Sequence, residues 1–176
     1  MTIYDLLKAN RETLVGQWIA QIQETYPIDT VGFLRSRKDQ FHNPVGDKTE
    51  KAVAALFDML AEDGIDPEKA AQPLDDIIRI RAIQSFTPEQ AVAVIYFLKT
   101  IVRNALGAQI AEHRLYPQLL ALESQIDTMV LISFGIYAKC REKLHIMRAE
   151  EYKRRYAQLI RRAERILDTP AGEPDI

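Results

Sequence analysis

Apolar residues recur along most of this chain at alternating steps of three and four, and nowhere at sustained steps of two, which is the period of helices rather than strands. The longest such stretch runs from Pro117 to Asp168, with no proline between Gln118 and Thr169 and one glycine, Gly135. It predicts a single helix about 75 Å long at about 1.5 Å per residue, more than a domain of this size can cover, so part of it is expected to protrude. Its pattern changes midway. Ile126, Val130, Ser133, Tyr137, Cys140, Leu144 and Met147 form one stripe, widened by Met129, Ile132, Phe134 and Ile136, and that half is expected to be core. After Met147 the stripe slips by one residue and narrows to Tyr152, Tyr156, Leu159, Ala163 and Ile166, with charge on nearly every other face. This second half reads as a coiled-coil seam; the alternative is a helix folded back along its own domain.

Upstream, the same period and its punctuation predict a series of shorter helices. Tyr4–Ala9 reads as a helical turn, and Asn10 as the cap of a helix that buries Leu14, Trp18 and Ile22 and closes before Pro27. Asp29–Arg37 reads as a short helix and Lys38–Gly46 as a loop, marked by Asn43-Pro44 and Gly46. Asp47 and Glu50 stand at capping-box spacing before Val53, Leu56, Phe57 and Leu60, with a stop at Gly64. Asp66 and Pro67 open the next helix, Pro73 interrupts or restarts it, and Leu74–Phe86 continues it. Thr87, Pro88 and Gln90 give a full start signal for a helix with Ala91, Val94, Ile95, Leu98, Val102 and Ala105 on one face, ended or bent at Gly107. His113–Pro117 is the turn into the long helix. The fold class is all-α, a helical bundle: a sensor-type domain over 1–147, a basic helix over 148–168 and a disordered tail over 169–176.

Composition narrows this further. With 176 residues, 47% apolar and 27% charged, the chain can bury one good core. A single cysteine, Cys140, excludes an internal disulfide and fits a reducing compartment. The start lacks the apolar block of a signal peptide, and the longest uncharged run, Thr128–Ala138, is too short to cross a bilayer, so a cytoplasmic protein is expected. The net charge of −2 conceals a split, because ten basic residues between Lys139 and Arg165 face four glutamates and give that segment +6 against −8 elsewhere. Such a helix could touch nucleic acid or an anionic membrane, but partner pairing along the seam is the favoured reading.

Few residues suggest chemistry. His42, His113 and His145 do not repeat at metal spacing, and Glu142 with His145 makes one E-x-x-H step where a dinuclear bundle needs two. An all-helical chain with one axial histidine could be a haem sensor, and this stays the alternative reading. Cys140 lies on the apolar stripe as a small hydrophobe, and no nucleophile with its base, phosphate loop or paired-cysteine site appears, so no enzyme is expected. The exception is Asp75–Phe86. Asp75 and Asp76 precede Arg79 by four and three residues and can pair with it, whereas Arg81, among Ile77, Ile78, Ile80 and Ile83, has no such partner. Arg81 either snorkels, meets a carboxylate from elsewhere, or holds a small anion. The candidate ligand set is Arg81 and Arg79 with His42 and Asn43 of the neighbouring loop.

Three segments, FHNPVG at Phe41–Gly46, DDIIRIRAIQSFTPEQA at Asp75–Ala91 and YAKCREKL at Tyr137–Leu144, resemble the RsbRD N-terminal domain family, named after the RsbT co-antagonists of bacterial stressosomes. The resemblance covers about residues 6 to 160. It implies an all-helical signalling domain in stress response, similar to co-antagonist domains that are globin-like without haem, dimeric, and joined through an exit helix to a STAS domain. It assigns no catalytic residue and no cofactor. Here the sequence ends soon after Asp168 with no STAS domain, which suggests a stand-alone regulator whose output is a separate signalling protein. A homodimer is expected, with Tyr137, Cys140, Leu144, Tyr152, Tyr156 and Leu159 on its dimer and output helix.

Overall fold

The computed structural model describes residues 1–26, 44–62, 64–84 and 86–167, which form six helices and, among the described residues, no strand. They are α1 (Ile3–Ala9), α2 (Arg11–Glu24), α3 (Pro44–Glu62), α4 (Pro67–Ile83), α5 (Pro88–Glu112) and α6 (Tyr116–Leu167). The chain is a helical bundle with a long C-terminal helix. Residues Met1–Cys140 make one compact unit and Arg141–Ile176 a second. The expected helix Asp29–Arg37 and most of the loop before Gly46, including His42 and Asn43, lie outside the described residues.

Helix starts follow the capping chemistry closely. Thr2 Oγ1 accepts from the Asp5 amide at 3.2 Å while Asp5 accepts from the Thr2 amide at 2.7 Å, and Thr87 and Gln90 exchange the equivalent pair at 3.4 and 3.1 Å. Asp66 accepts from the amides of Glu68 and Lys69 ahead of Pro67, and these bonds hold its carboxyl below the ordinary range. Two starts differ from expectation. Asn10 occupies the cap position of α2, but its side chain donates back to the Leu6 carbonyl at 2.9 Å and closes α1 instead. Pro44, with φ already set for a helix, starts α3 one turn early, so Asp47 caps nothing and pairs with Lys51 at 2.8 Å.

Two expected breaks are absent. Pro73 lies inside a continuous α4, where Ala70, Leu74, Ile77 and Ile78 are all buried; that burial outweighs the roughly 3 kcal/mol cost of an interior proline. α4 ends at Ile83, short of Phe86, and α5 runs through Gly107. The core face of α5 drifts past exposed Ala105 to Ile101, Leu106 and Ile110. Gly64, after α3, has φ +101° and its amide donates to the Met59 carbonyl. A Cβ there would lie 2.8 Å from Gln125 Nε2. Gly64→Ala is therefore expected to lower unfolding stability by about 1–2 kcal/mol in urea titration.

The first unit has one core. Leu14, Trp18 and Ile22 of α2 meet Leu56, Phe57 and Leu60 of α3, Ile77 and Ile78 of α4, Val94, Ile95 and Leu98 of α5, and Leu122, Ile126 and Met129 of α6. Directional bonds fix the helices within it. The Trp18 indole donates to the Val94 carbonyl at 2.7 Å, Arg11 grips Asp58 with two bonds of 2.6 and 2.7 Å, and Arg103 grips the buried Glu123 with two of 2.6 Å. Lys99 reaches Asp127 at 2.7 Å, and the Ile3 amide donates to Gln118 at 2.8 Å.

The stripe on α6 is core over a shorter length than its pattern suggests. Ile126, Met129, Val130, Ser133 and Tyr137 are buried and Cys140 and Leu144 half-buried, but Phe134 and Met147 are exposed. The stripe is apolar beyond the point where neighbouring helices are there to cover it. α5 and α6 each also contain a stretch long and apolar enough to cross a membrane by length and composition, which the longest uncharged run does not reveal. In α5 that stretch carries core residues, and its Lys99 is paired with Asp127.

Candidate functional site

Arg81 sits in the last turn of α4 on the same face as Ile77, Ile78 and Ala82, so the helix carries it into the core. Its side chain is 0% exposed. It neither snorkels nor, among the described residues, meets a carboxylate. Instead, Nη1 donates to Thr25 Oγ1 at 2.9 Å and Nη2 to the Gln90 carbonyl at 3.1 Å. The guanidinium carbon lies 4.0 Å from the centre of the Phe86 ring and 5.2 Å from that of Tyr26. The two rings meet edge to face, 5.3 Å apart at 78°. Nε has no partner.

Local structure explains how a cation is tolerated there. The negative faces of both rings attract it. It stands at the C-terminal ends of both α4 and α2, where unsatisfied carbonyls favour positive charge. Thr25 donates its hydroxyl hydrogen to the Ile22 carbonyl at 2.7 Å, which turns a lone pair toward Arg81. Burial still pushes the guanidinium down from its usual range, with Tyr26 opposing that shift. An arginine nevertheless keeps its charge at any ordinary pH.

The cage is tied to the long helix. Tyr137, buried on α6, donates its hydroxyl to the Phe86 carbonyl at 2.7 Å. Phe86 thus stacks on Arg81 with its ring and holds α6 with its backbone. On the other side, Tyr26 lines a small cleft with Ile22, Gln23, Val45, Gly46 and Thr49, so the described end of the Phe41–Gly46 segment reaches the cage.

Sequence reasoning finds the arginine but not its cage. Arg79 is not brought to it: Asp75 holds Arg79 in an exposed two-bond pair at 2.7 and 2.8 Å. Tyr26, Phe86, Thr25 and Gln90 come from helix ends and connecting segments, where no periodic pattern marks a side chain. Of the expected output residues, Tyr137 packs inside the first unit, while Tyr152, Tyr156 and Leu159 are exposed. His113 closes α5 in an exposed position and His145 is exposed. Among the described residues no three His, Cys, Asp or Glu side chains gather as a metal site would need.

The sequence model of the RsbT co-antagonist protein rsbRD N-terminal domain matches residues 12–152. The chain belongs to this family. The match takes in every residue of the Arg81 cage and the Tyr137 link, and stops at Tyr152, before Tyr156 and Leu159. RsbRD N-terminal domains are regulatory domains of stress signalling, which fits a bundle in which the cage of a buried arginine is coupled to the long C-terminal helix. No curated protein and no solved structure matches the chain.

Proposed function

We propose that this RsbRD N-terminal domain is a cytoplasmic, non-enzymatic input module that binds a small anionic ligand at Arg81 and reports occupancy through α6 to a separate signalling protein. The observation that carries the reading is the double role of Phe86, whose ring covers the guanidinium while its carbonyl holds Tyr137. An anion pairing with Nε would compete with the rings and with Thr25 for the guanidinium. Any shift of Phe86 then passes through the Tyr137 hydrogen bond to the helix that carries it. The protein also pairs with a second copy in this reading, through Leu120, Leu131 and Phe134, three exposed apolar residues on α6 of the first unit.

The test is thermal unfolding of the full chain against inorganic phosphate and a panel of mono- and dicarboxylates. At least one anion is expected to raise the midpoint, Arg81→Met to abolish that rise, and Tyr137→Phe to preserve binding while uncoupling it from changes in α6. A panel without effect, or a shift that survives Arg81→Met, would refute the ligand reading. Absorbance in the Soret region of the purified protein separates it from a haem sensor.

A further inference from the structure

The second half of α6 carries a charge pattern that distinguishes between partners. Tyr152, Tyr156 and Leu159 are 61%, 66% and 58% exposed. With Ala149 and Ala163 they keep the four-three step of a coiled-coil seam, Tyr152 and Leu159 at d and the other three at a. In that register the g edge is Arg148, Arg155 and Arg162, and the e edge is Ile146, Lys153 and Ile160. The acidic residues from Glu150 to Glu164 all fall at b and c, away from both edges. Arg155 pairs only with Glu151 of its own helix, an exposed contact of little strength, and Arg148 and Arg162 have no ion partner among the described residues.

A second copy fits these edges poorly. In a parallel pair g faces e five residues on, which sets Arg148 against a lysine; in an antiparallel pair g faces g, which sets arginine against arginine. Such juxtapositions act against self-pairing, whereas a row of carboxylates answers all three arginines. We propose that the exposed half of α6 is a docking seam for an acidic amphipathic helix of another protein. Its apolar face covers Tyr152, Tyr156 and Leu159, and its carboxylates meet Arg148, Arg155 and Arg162. This rests on the reading of α6 as the output element and names the chemistry of its partner.

The test uses the full chain and a labelled four-heptad synthetic coil with leucine at a and d and glutamate at e and g. Its comparators are the same coil with lysine at e and g, a DNA duplex, and vesicles containing phosphatidylserine. The acidic coil is expected to bind at least about tenfold tighter than the basic coil, and the combined charge reversal R148E/R155E/R162E to invert that preference. Circular dichroism of the variant controls for lost helix. Four results would overturn the proposal: no binding of the acidic coil, no preference between coils, tighter binding of duplex or vesicle, or a dimer by light scattering that Tyr156→Glu splits. None of these touches the anion-induced shift at Arg81, so failure here and failure of the ligand reading are told apart.

Discussion

Arg81→Met is expected to leave the protein as stable as the native chain or to stabilise it by up to about 2 kcal/mol, while Arg81→Ala costs about 2–5 kcal/mol. The two substitutions separate what the side chain fills from what its charge does. Arg81 is fully buried, so truncation to alanine opens a cavity between α4, Tyr26 and Phe86 and forfeits the packing of both rings. Methionine refills much of that volume with a flexible stem and a thioether that packs well against aromatic rings. It also removes the desolvation of a cation that no carboxylate among the described residues offsets. The hydrogen bonds given up are those to Thr25 and Gln90. Thr25 keeps its own bond to the Ile22 carbonyl, so the loss on that side is partial. Urea titration of the three proteins by circular dichroism decides the matter. If methionine is as damaging as alanine, Arg81 is a structural latch and the argument for a ligand loses its base, because the charge would then be retained for stability alone.

The sequence makes the helices legible where local chemistry sets them. Thr87-Pro88-Gln90 and Asp66-Pro67 supply their own hydrogen bonds, so no distant residue is needed to predict where α5 and α4 begin. Pro73 shows the opposite case: its local penalty is plain in the sequence, but the four residues whose burial overrides it count only once α4 is seated on the core. The same division holds at the site. That Arg81 lacks a partner at helical spacing is readable from Asp75 and Asp76, which lie one turn before Arg79 and not before Arg81. That its partners are Thr25 and Tyr26, more than fifty residues upstream, follows only from how α2 crosses α5. On α6, the residue types predict an apolar stripe through Met147, but what buries a stripe is the presence of neighbours, and the core of the first unit packs against it as far as Cys140.

The crossing of α2 and α5 therefore positions the cage, and Trp18 is the residue that pins it. Trp18→Ala is expected to cost about 3–5 kcal/mol, a large part of the roughly 5–15 kcal/mol that holds a domain folded. The indole is fully buried and its N–H is bonded to the Val94 carbonyl at 2.7 Å, so alanine leaves both a large cavity and a lost directional contact. Thr25 caps the C-terminal end of α2 about two helical turns after Trp18 and Tyr26 follows directly, so any rotation or slide of α2 on α5 moves them relative to Arg81 and Gln90. Trp18→Phe isolates that effect. It keeps an aromatic ring in the core, gives up the bond to Val94, and is expected to cost about 1–3 kcal/mol. Because Trp18 is the one tryptophan in the chain, unfolding of both variants has to be followed by circular dichroism rather than by intrinsic indole fluorescence. In Trp18→Phe the anion-induced rise in midpoint should shrink although no cage residue has changed. A full-sized rise in a destabilised Trp18→Phe protein would mean that α2 is held in register by its other contacts, and that the Arg81 site does not depend on this crossing.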